Sequence, residues 1–547
     1  MTTDPRTGAP SAERHWVLIE TGGNQRYIFG SNRMRHVVGA SQLVHEVGTE
    51  WAREAVDRLG LPYDPVVMTA SGKALLLVDS PDTGHAVIRT VSERALAETP
   101  GLRVTGVVGP PFDPMDDTAH EKARVETYRL QARVRAARPD PLVRDRVFPW
   151  HRLCRDSGQP AEREEVYSDA EPSVPTSAGM LARSRARRRA RNRLVGKLTG
   201  RLAQVVPAHL DVLRHSGWVA VIHADGNGVG GLFRGFVQNV AEAEYGDRNR
   251  PVSLETHRRY QRDVARELDD ATWDAVRDAI ADLLARWRED DLRERLLPIV
   301  VGGDDVTLAC DAALAVPFLR AFADAFARHT AERPTLSAVA RAATGHPGLT
   351  ASAGFAVVKS HHPFGTAYNL AEALTVSAKR FKDGERALAG FDFHVAHASS
   401  LRDLAELREY VQNGDGTRVA RHAGPYLFGR AAALPDELRH RSVELLDEVS
   451  GWLGPDGWLT AAQAHTLREA ADRGLAEYRH QLALLVGRAT DPDRAHRLLD
   501  VQRDPVTEAE PDPEPFLRLF DALHLRGLRL QAPELAAAGS VSNGGVA

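Results

Sequence analysis

"PIVVGGDDVTLACD", residues 298–311, sets two glycines and two aspartates between apolar, β-forming runs. Ile299, Val300 and Val301 lead in, and Val306, Thr307, Leu308, Ala309 and Cys310 lead out. Flanks of this kind around a Gly-Asp turn predict a strand, a tight turn and a second strand. Asp304 and Asp305 then stand at the tip of a hairpin whose sides are buried. In an ordinary Gly-Asp turn they would be solvated turn residues and nothing more, so the rest of the chain has to decide between the two readings.

The chain has 547 residues, 43% of them apolar. That exceeds what one core usually holds, and about three or four domains are expected. Its 70 basic and 74 acidic residues nearly cancel, so any contact with nucleic acid has to come from a local patch. Two cysteines, Cys154 and Cys310, leave no disulfide framework and no cysteine-rich zinc site, and no zinc is expected. The opening "MTTDPRTGAPSAERH" lacks the apolar centre of a signal peptide, and no apolar run approaches the roughly 18 residues of a membrane span. A cytoplasmic protein with no membrane partner is the expectation.

Strand-like and helical patterns alternate. "HWVLIE" (15–20), "VVM" (66–68), "ALLLV" (74–78) and "LRVTGVV" (102–108) read as strands. A helical pattern carrying Val37, Leu43, Val44, Val47, Trp51 and Leu59 follows the first strand, and another at about 83–97 precedes the last. The order is βαββαβ, the ferredoxin-like arrangement. From residue 215 it returns: "GWVAVIHAD", helices across 230–287, the quoted hairpin, a helix near 316–329 and "LTASAGFAVV". The fold expected is therefore α+β, with two ferredoxin-like domains. They span 15–110 and 215–395, around an irregular and helical middle region at 111–214 and before a helical domain at 396–535. Residues 1–14 and 536–547 read as disordered.

The chemistry is concentrated in the second copy. "VAVIHADGNGVGGLF" ends a buried strand with Asp225 and continues into glycines. In a ferredoxin-like sheet the first strand lies beside the central hairpin, so Asp225 can approach Asp304 and Asp305. Three carboxylates facing one point repel one another unless counterions intervene, and magnesium or manganese bound to a nucleoside triphosphate would supply them. The glycines after Asp225 let backbone amides approach phosphate oxygens. In "ASAGFAVVKSHHPFGTAYNLAEALTVSAKRFKDG" (351–384) a strand leads to a helix that presents Lys379, with Lys382 close behind. A lysine over the hairpin can neutralise β- and γ-phosphates. His361 and His362 have no accompanying carboxylate or thiol spacing and read as loop residues. In the first copy the hairpin turn offers Ser71, Gly72 and Lys73, so no carboxylate holds a metal there; its lysine could meet a triphosphate without one. The run "RSRARRRARNR" (183–193) is either a solvated helix face or a patch in which Arg187, Arg188, Arg189 and Arg191 contact RNA phosphates.

These motifs together resemble a known family. "HADGNGVGG", "VVGGDDVTLAC" and "ASAGFAV" with "LAEALTVSAKRFKDG" are similar to the palm polymerase/cyclase domain shared by GGDEF diguanylate cyclases and the large subunit of type III CRISPR effector complexes. The GGDD form favours the CRISPR side. So do "TGGNQRYIFGSNRMRHVVGASQLV" (21–44), which resembles the opening of that subunit's first palm, and "FDFHVAHASSL" (391–401), which resembles its palm-to-helical junction.

The resemblance implies conversion of ATP into cyclic oligoadenylate, an antiviral second messenger, by attack of a 3′-hydroxyl on an α-phosphate with pyrophosphate leaving. It places two metals, magnesium or manganese, on Asp225, Asp304 and Asp305. Gly302 and Gly303 would let the nucleotide approach, Asn227, Gly228 and Gly230 would line its phosphates, Lys379 would grip them, and Ser352 would border the pocket. Guide RNA and other effector subunits are the partners implied. The chain departs from the family in having no His-Asp dipeptide, so DNA cleavage by the family's histidine–aspartate nuclease is not expected, and in keeping only Cys154 where paired zinc cysteines often stand. Two other readings stay open: a non-catalytic scaffold subunit of a CRISPR ribonucleoprotein, and an enzyme making a dinucleotide from GTP.

Overall fold

A computed structural model of the chain describes residues 13–138, 147–166, 173–208, 213, 217–383, 386–396, 404–408, 410–412, 418–420, 422–453, 459–488, 493 and 518–530. The stretch 1–12 and the tail from 536, both expected to be disordered, lie outside the described residues, as does Gly384.

The first half runs β1 (His15–Gly22), α1 (Asn24–Phe29), α2 (Met34–Gly48), α3 (Glu50–Leu59), β2 (Val66–Ala70), β3 (Lys73–Val78), α4 (Pro81–Glu98) and β4 (Arg103–Val108). Its four strands form an antiparallel sheet in the order β2-β3-β1-β4. The single helical pattern expected across 37–59 is divided between α2 and α3 at Thr49, whose non-helical backbone serves as a cap to both. Between the halves come α5 (Ala119–Ala137), β5 (Arg163–Glu165), β6 (Val174–Thr176) and α6 (Ala178–Leu198).

The second half runs β7 (Trp218–Gly226), α7 (Val229–Phe233), α8 (Phe236–Tyr245), α9 (Leu254–Arg286), α10 (Glu289–Leu292), β8 (Leu296–Gly302), β9 (Asp305–Asp311), α11 (Ala315–Glu332), α12 (Pro334–Thr344), β10 (Ala351–Lys359) and α13 (Phe364–Ala378). Short strands β11 (Lys382–Asp383) and β12 (Arg386–Ala387) precede β13 (Gly390–Val395); β14 (Tyr410–Gln412), β15 (Arg418–Ala420) and β16 (Tyr426–Leu427) follow. The main sheet is ordered β16-β13-β10-β7-β9-β8. In both sheets the first strand therefore lies between the second arm of a hairpin and the next long strand. β7 is buried from Trp218 through Ala224, because helices cover both faces, and such a strand reads as a continuous apolar run. The sheet also extends beyond the expected four strands: β13 joins β10 in parallel, and β16 joins β13. Beyond them the chain is mainly helical, at Val443–Trp452, Ala461–Arg473, Leu475–Gly487 and Arg518–Leu530. The fold is mixed α+β.

One apolar core runs through both halves. Phe29 stacks on Tyr368 with ring centroids 3.6 Å apart, and Ser41 Oγ donates to the Ile299 carbonyl at 2.6 Å. The second contact ties α2 to the hairpin arm that leads to the aspartates.

The arginine run occupies α6, which packs along α2. Arg189 grips the buried Glu46 with two bonds of 2.7 and 2.9 Å, and Arg193 Nε donates to Gln42 Oε1 at 2.8 Å. Arg187 donates to Ser184 Oγ at 2.9 Å and Arg191 to the Pro207 carbonyl at 3.4 Å, while Arg188 is exposed. Of the four arginines set aside for RNA, Arg189, itself half exposed, is thus engaged by a buried carboxylate. Arg189→Gln leaves a buried carboxylate without its cation and is expected to lower unfolding stability by about 1–3 kcal/mol. Arg188→Gln is expected to change stability by less than about 0.5 kcal/mol. Equal effects of the two in urea titrations would contradict the inward role of Arg189.

Candidate active site

Register brings the acids together. Asp225, at the end of β7, is the cross-strand partner of Asp305 in β9 on one side and of Ser352 in β10 on the other. Like charges directly opposite in a sheet destabilise it. Asp304 occupies the turn, where its carbonyl accepts from Gly226 N at 3.1 Å and its carboxyl bonds that of Asp225. The turn is possible because Gly303 takes a left-handed φ of 62°, a conformation that a Cβ disfavours. Gly72, with φ 73°, does the same in the first half's hairpin.

Burial, reinforced by the Asp225 charge and by a hydrogen bond with it, raises the pKa of Asp304 well above the ordinary carboxylate range. Burial and the Asp225 charge raise Asp305 to about 7, with Lys379 opposing. Lys379 follows the last turn of α13 and makes an ion pair with Asp225 Oδ2. His223 Nδ1 is 3.3 Å from Asp305 Oδ1 and 3.2 Å from Thr307 Oγ1, and burial lowers its pKa. Tyr368 packs its ring edge-on to His223, with centroids 5.4 Å apart; burial first, then the charges of Asp305 and Glu372, raises its pKa.

Both acids titrate above the unfolded carboxylate value of about 4. From there to about pH 7 the folded chain holds more protons than the unfolded one, so stability falls as pH rises through that window. Stripped of divalent ions, the protein is expected to melt lower at about pH 8 than at about pH 6, and Asp304→Asn with Asp305→Asn to reduce that difference. An unchanged difference in the double variant would assign it to other groups.

The donor set also bears on metal binding. Among the described residues no three histidine, cysteine or acidic side chains converge closely enough to form a finished metal site. Yet Asp305 Oδ1 is shielded from solvent and makes no hydrogen bond, with only the His223 ring facing it at 3.3 Å, and Lys379 is shared between Asp225 and Asp305 with none of it given to Asp304. An all-oxygen set with surplus negative charge fits a hard divalent cation.

Asp304 also borders a cavity of about 950 Å³, at the upper end of the range for ligand pockets. Gly303 and Asp269 line it from the second half, and Ser71, Lys73 and Tyr128 from the first half and α5. The two hairpin tips approach each other: a Cβ at residue 302 would lie 3.8 Å from Ser71 Cβ. Asp269 Oδ1 accepts from Gly303 N at 3.2 Å and braces the turn, and burial raises its pKa. Lys73, read from sequence as open to a triphosphate, is instead 2.9 Å from Glu20 Oε1 and lies over the Tyr128 ring at 4.5 Å.

Other expected site residues fall differently. Gly302 and Gly303 sit at the hairpin tip, and Gly228 and Gly230 at the start of α7, with Gly228 left-handed at φ 83°. Asn227 is buried, and its amide donates to Thr350 Oγ1 and Ser352 Oγ, both at 3.0 Å. Ser352 is fully buried. These two side chains clamp the ends of β7 and β10 and do not face open space. His223, Asp269, Tyr368 and Glu372 were not singled out from sequence. For His223 the signal exists: two residues before Asp225 in a strand, it shares that residue's face.

Asp225 near the end of β7 thus lies beside the Gly-Gly-Asp-Asp hairpin, with Lys379 paired to it. Residues 218–388 match the family model described as Cas10/Cmr2, second palm domain. For these residues the expected resemblance to the large subunit of type III CRISPR effector complexes is borne out. An apo Csm1–Csm4 cassette shares the fold at TM-score 0.50 and 13% identity, over 97% of this chain and 72% of that one. A Csm1–Csm4 cassette in complex with cA4 gives 0.49 and 14%, over 95% and 70%. Csm1 in T. onnurineus gives 0.46 and 14%, over 96% and 70%. No curated protein matches the chain. No helix among the described residues is long and apolar enough to cross a membrane.

Proposed function

We propose that this chain is a divalent-metal-dependent nucleotidyltransferase that converts ATP into cyclic oligoadenylate as the large subunit of a type III CRISPR-like effector. The observation that carries the reading is the meeting of Asp225, Asp304, Asp305 and Lys379 at one corner of the sheet, with Asp304 on a cavity between two hairpin tips. Magnesium or manganese on the three carboxylates would activate a 3′-hydroxyl and stabilise the leaving pyrophosphate. The protein's part is to hold that charge in place. Asp225 and Asp305 are fixed by cross-strand register, Asp304 by the left-handed turn at Gly303, and the turn by Asp269. Lys379 supplies positive charge where a triphosphate arrives, and the glycines from Gly226 to Gly231 allow its oxygens close to the backbone.

In this reading the segments 15–110 and 215–395 are two ferredoxin-like palms, only the second of which holds metal. The first palm contributes one wall of the cavity. Asn227 and Ser352 act by positioning β7 against β10. ATP as substrate and guide RNA and other effector subunits as partners belong to the same proposal, and it needs no zinc. Incubation of the protein with each labelled nucleoside triphosphate and manganese, followed by mass spectrometry, tests it. Cyclic adenylates are the expected product. A guanine dinucleotide would move the reading to GTP, and no product under conditions of demonstrated nucleotide binding would leave the scaffold reading.

A further inference from the structure

A second cavity, of about 380 Å³, lies on the first half and shares no lining residue with the cavity at Asp304. Its walls come from the β1–α1 turn, the turn before β4, the loop near Asp156 and the first turn of α6. Three guanidinium groups, those of Arg26, Arg103 and Arg183, line it against one acid, Asp156. That acid is already engaged: Arg33 Nε lies 3.3 Å and His36 Nδ1 3.6 Å from its Oδ2.

Arg183 is the informative residue. It is only 6% exposed, lies 4.2 Å over the Tyr27 ring and contacts no carboxylate among the described residues, and its Nε has no hydrogen-bond partner. A buried guanidinium normally has a counter-charge, because desolvating it alone is costly. Arg103 likewise has no acidic partner among the described residues, and its Nη2 lies against the β1–α1 turn, 3.1 Å from where a Cβ at residue 23 would stand. α6, 21 residues long, begins at this cavity with no side-chain cap at Ser177. Its first-turn amides are consequently left to other acceptors, and its dipole adds positive potential.

We propose that this cavity is an anion site built to take a phosphate group, either free or carried by a nucleotide, between Arg103, Arg183 and the N-terminus of α6. Such a group supplies the missing counter-charge, bidentate acceptors for guanidinium and acceptors for the helix amides. It sits beside Gly22 and Gly23, at the end of β1 as Gly226 and Gly228 are at the end of β7, so it occupies in the first half the place of a glycine turn that carries no catalytic acids. The site stands independently of the catalytic reading.

Calorimetric titration of the full chain with inorganic phosphate, adenosine 5′-monophosphate and adenosine tests it. Phosphate and the monophosphate are expected to bind and adenosine not; a tighter monophosphate identifies a nucleotide as the ligand, and equal affinities identify free phosphate. Arg103→Gln, at a partly exposed position, is expected to weaken phosphate binding roughly tenfold or more, with Arg26→Gln as the second variant. Asp304→Ala with Asp305→Ala is expected to leave phosphate binding unchanged. Absence of phosphate binding, binding that survives both arginine changes, adenosine binding equal to the monophosphate, or loss of phosphate binding in the aspartate variant would each overturn the assignment.

Discussion

Asp304→Ala combined with Asp305→Ala is expected to lower nucleotide turnover by about three orders of magnitude or more while the protein melts no lower, and in the absence of divalent ions melts higher. Removing two of three oxygen donors removes the site's hold on a hard cation, which is worth several kcal/mol to a reaction that expels pyrophosphate. Stability moves the other way because both carboxyls have raised pKa values in the fold. Near neutral pH the folded chain holds them in an environment that disfavours their charge, and alanine relieves that strain. Product formation by mass spectrometry and melting by circular dichroism, with and without manganese, read the two effects separately. Undiminished turnover would remove the pair from the active site. Intact turnover loss with a much lower melting temperature would mean that the hairpin tip is a structural turn.

How much of this was legible in the sequence follows from what each signal depends on. The hairpin and its neighbour strand are written in local pattern: apolar runs interrupted by Gly-Gly-Asp-Asp, and a strand ending in Asp225. The topology that joins them is short-range enough for the order of elements to imply that they are neighbours, and the structure pairs Asp225 with Asp305. What the pattern could not carry is who neutralises whom across the fold. Lys73 looks like a free cation in its turn, but Glu20 lies opposite it on β1, and only strand register reveals the pair. Arg189 looks like any member of a basic run until α6 is laid along α2, where Glu46 is waiting. Asn227 and Ser352, polar residues beside a glycine turn, read as pocket lining; they face each other because β7 and β10 are adjacent and buried. β16, with two residues, is too short for a period to show, whereas β13, as long as β3 and β4, lies beyond the four strands that the ferredoxin-like order supplies.

A third aspartate on the same hairpin separates stability from chemistry. Asp311 ends β9 at the base of the hairpin and pairs with Arg295 at 2.9 Å, and neither side chain is exposed to solvent at all. Its other carboxylate oxygen accepts from Ala313 N at 3.0 Å, and its own N–H donates to the Arg295 carbonyl at 2.9 Å. Asp311→Ala removes the carboxylate that this buried guanidinium pairs with and is expected to lower unfolding stability by about 3–5 kcal/mol, against the gain expected at the tip. The desolvation of both charges offsets much of their attraction, so replacing both together, Arg295→Met with Asp311→Leu, is expected to recover most of that loss. Urea unfolding of the single and double variants measures the difference. A loss below about 1 kcal/mol for Asp311→Ala, or a double variant no more stable than the single, would show that the pair does not hold the base of the hairpin. The opposite outcomes at tip and base have one cause: carboxylates with a dedicated cation inside the protein stabilise the strand they end, while carboxylates gathered without enough cations are held in readiness for charge that arrives from outside.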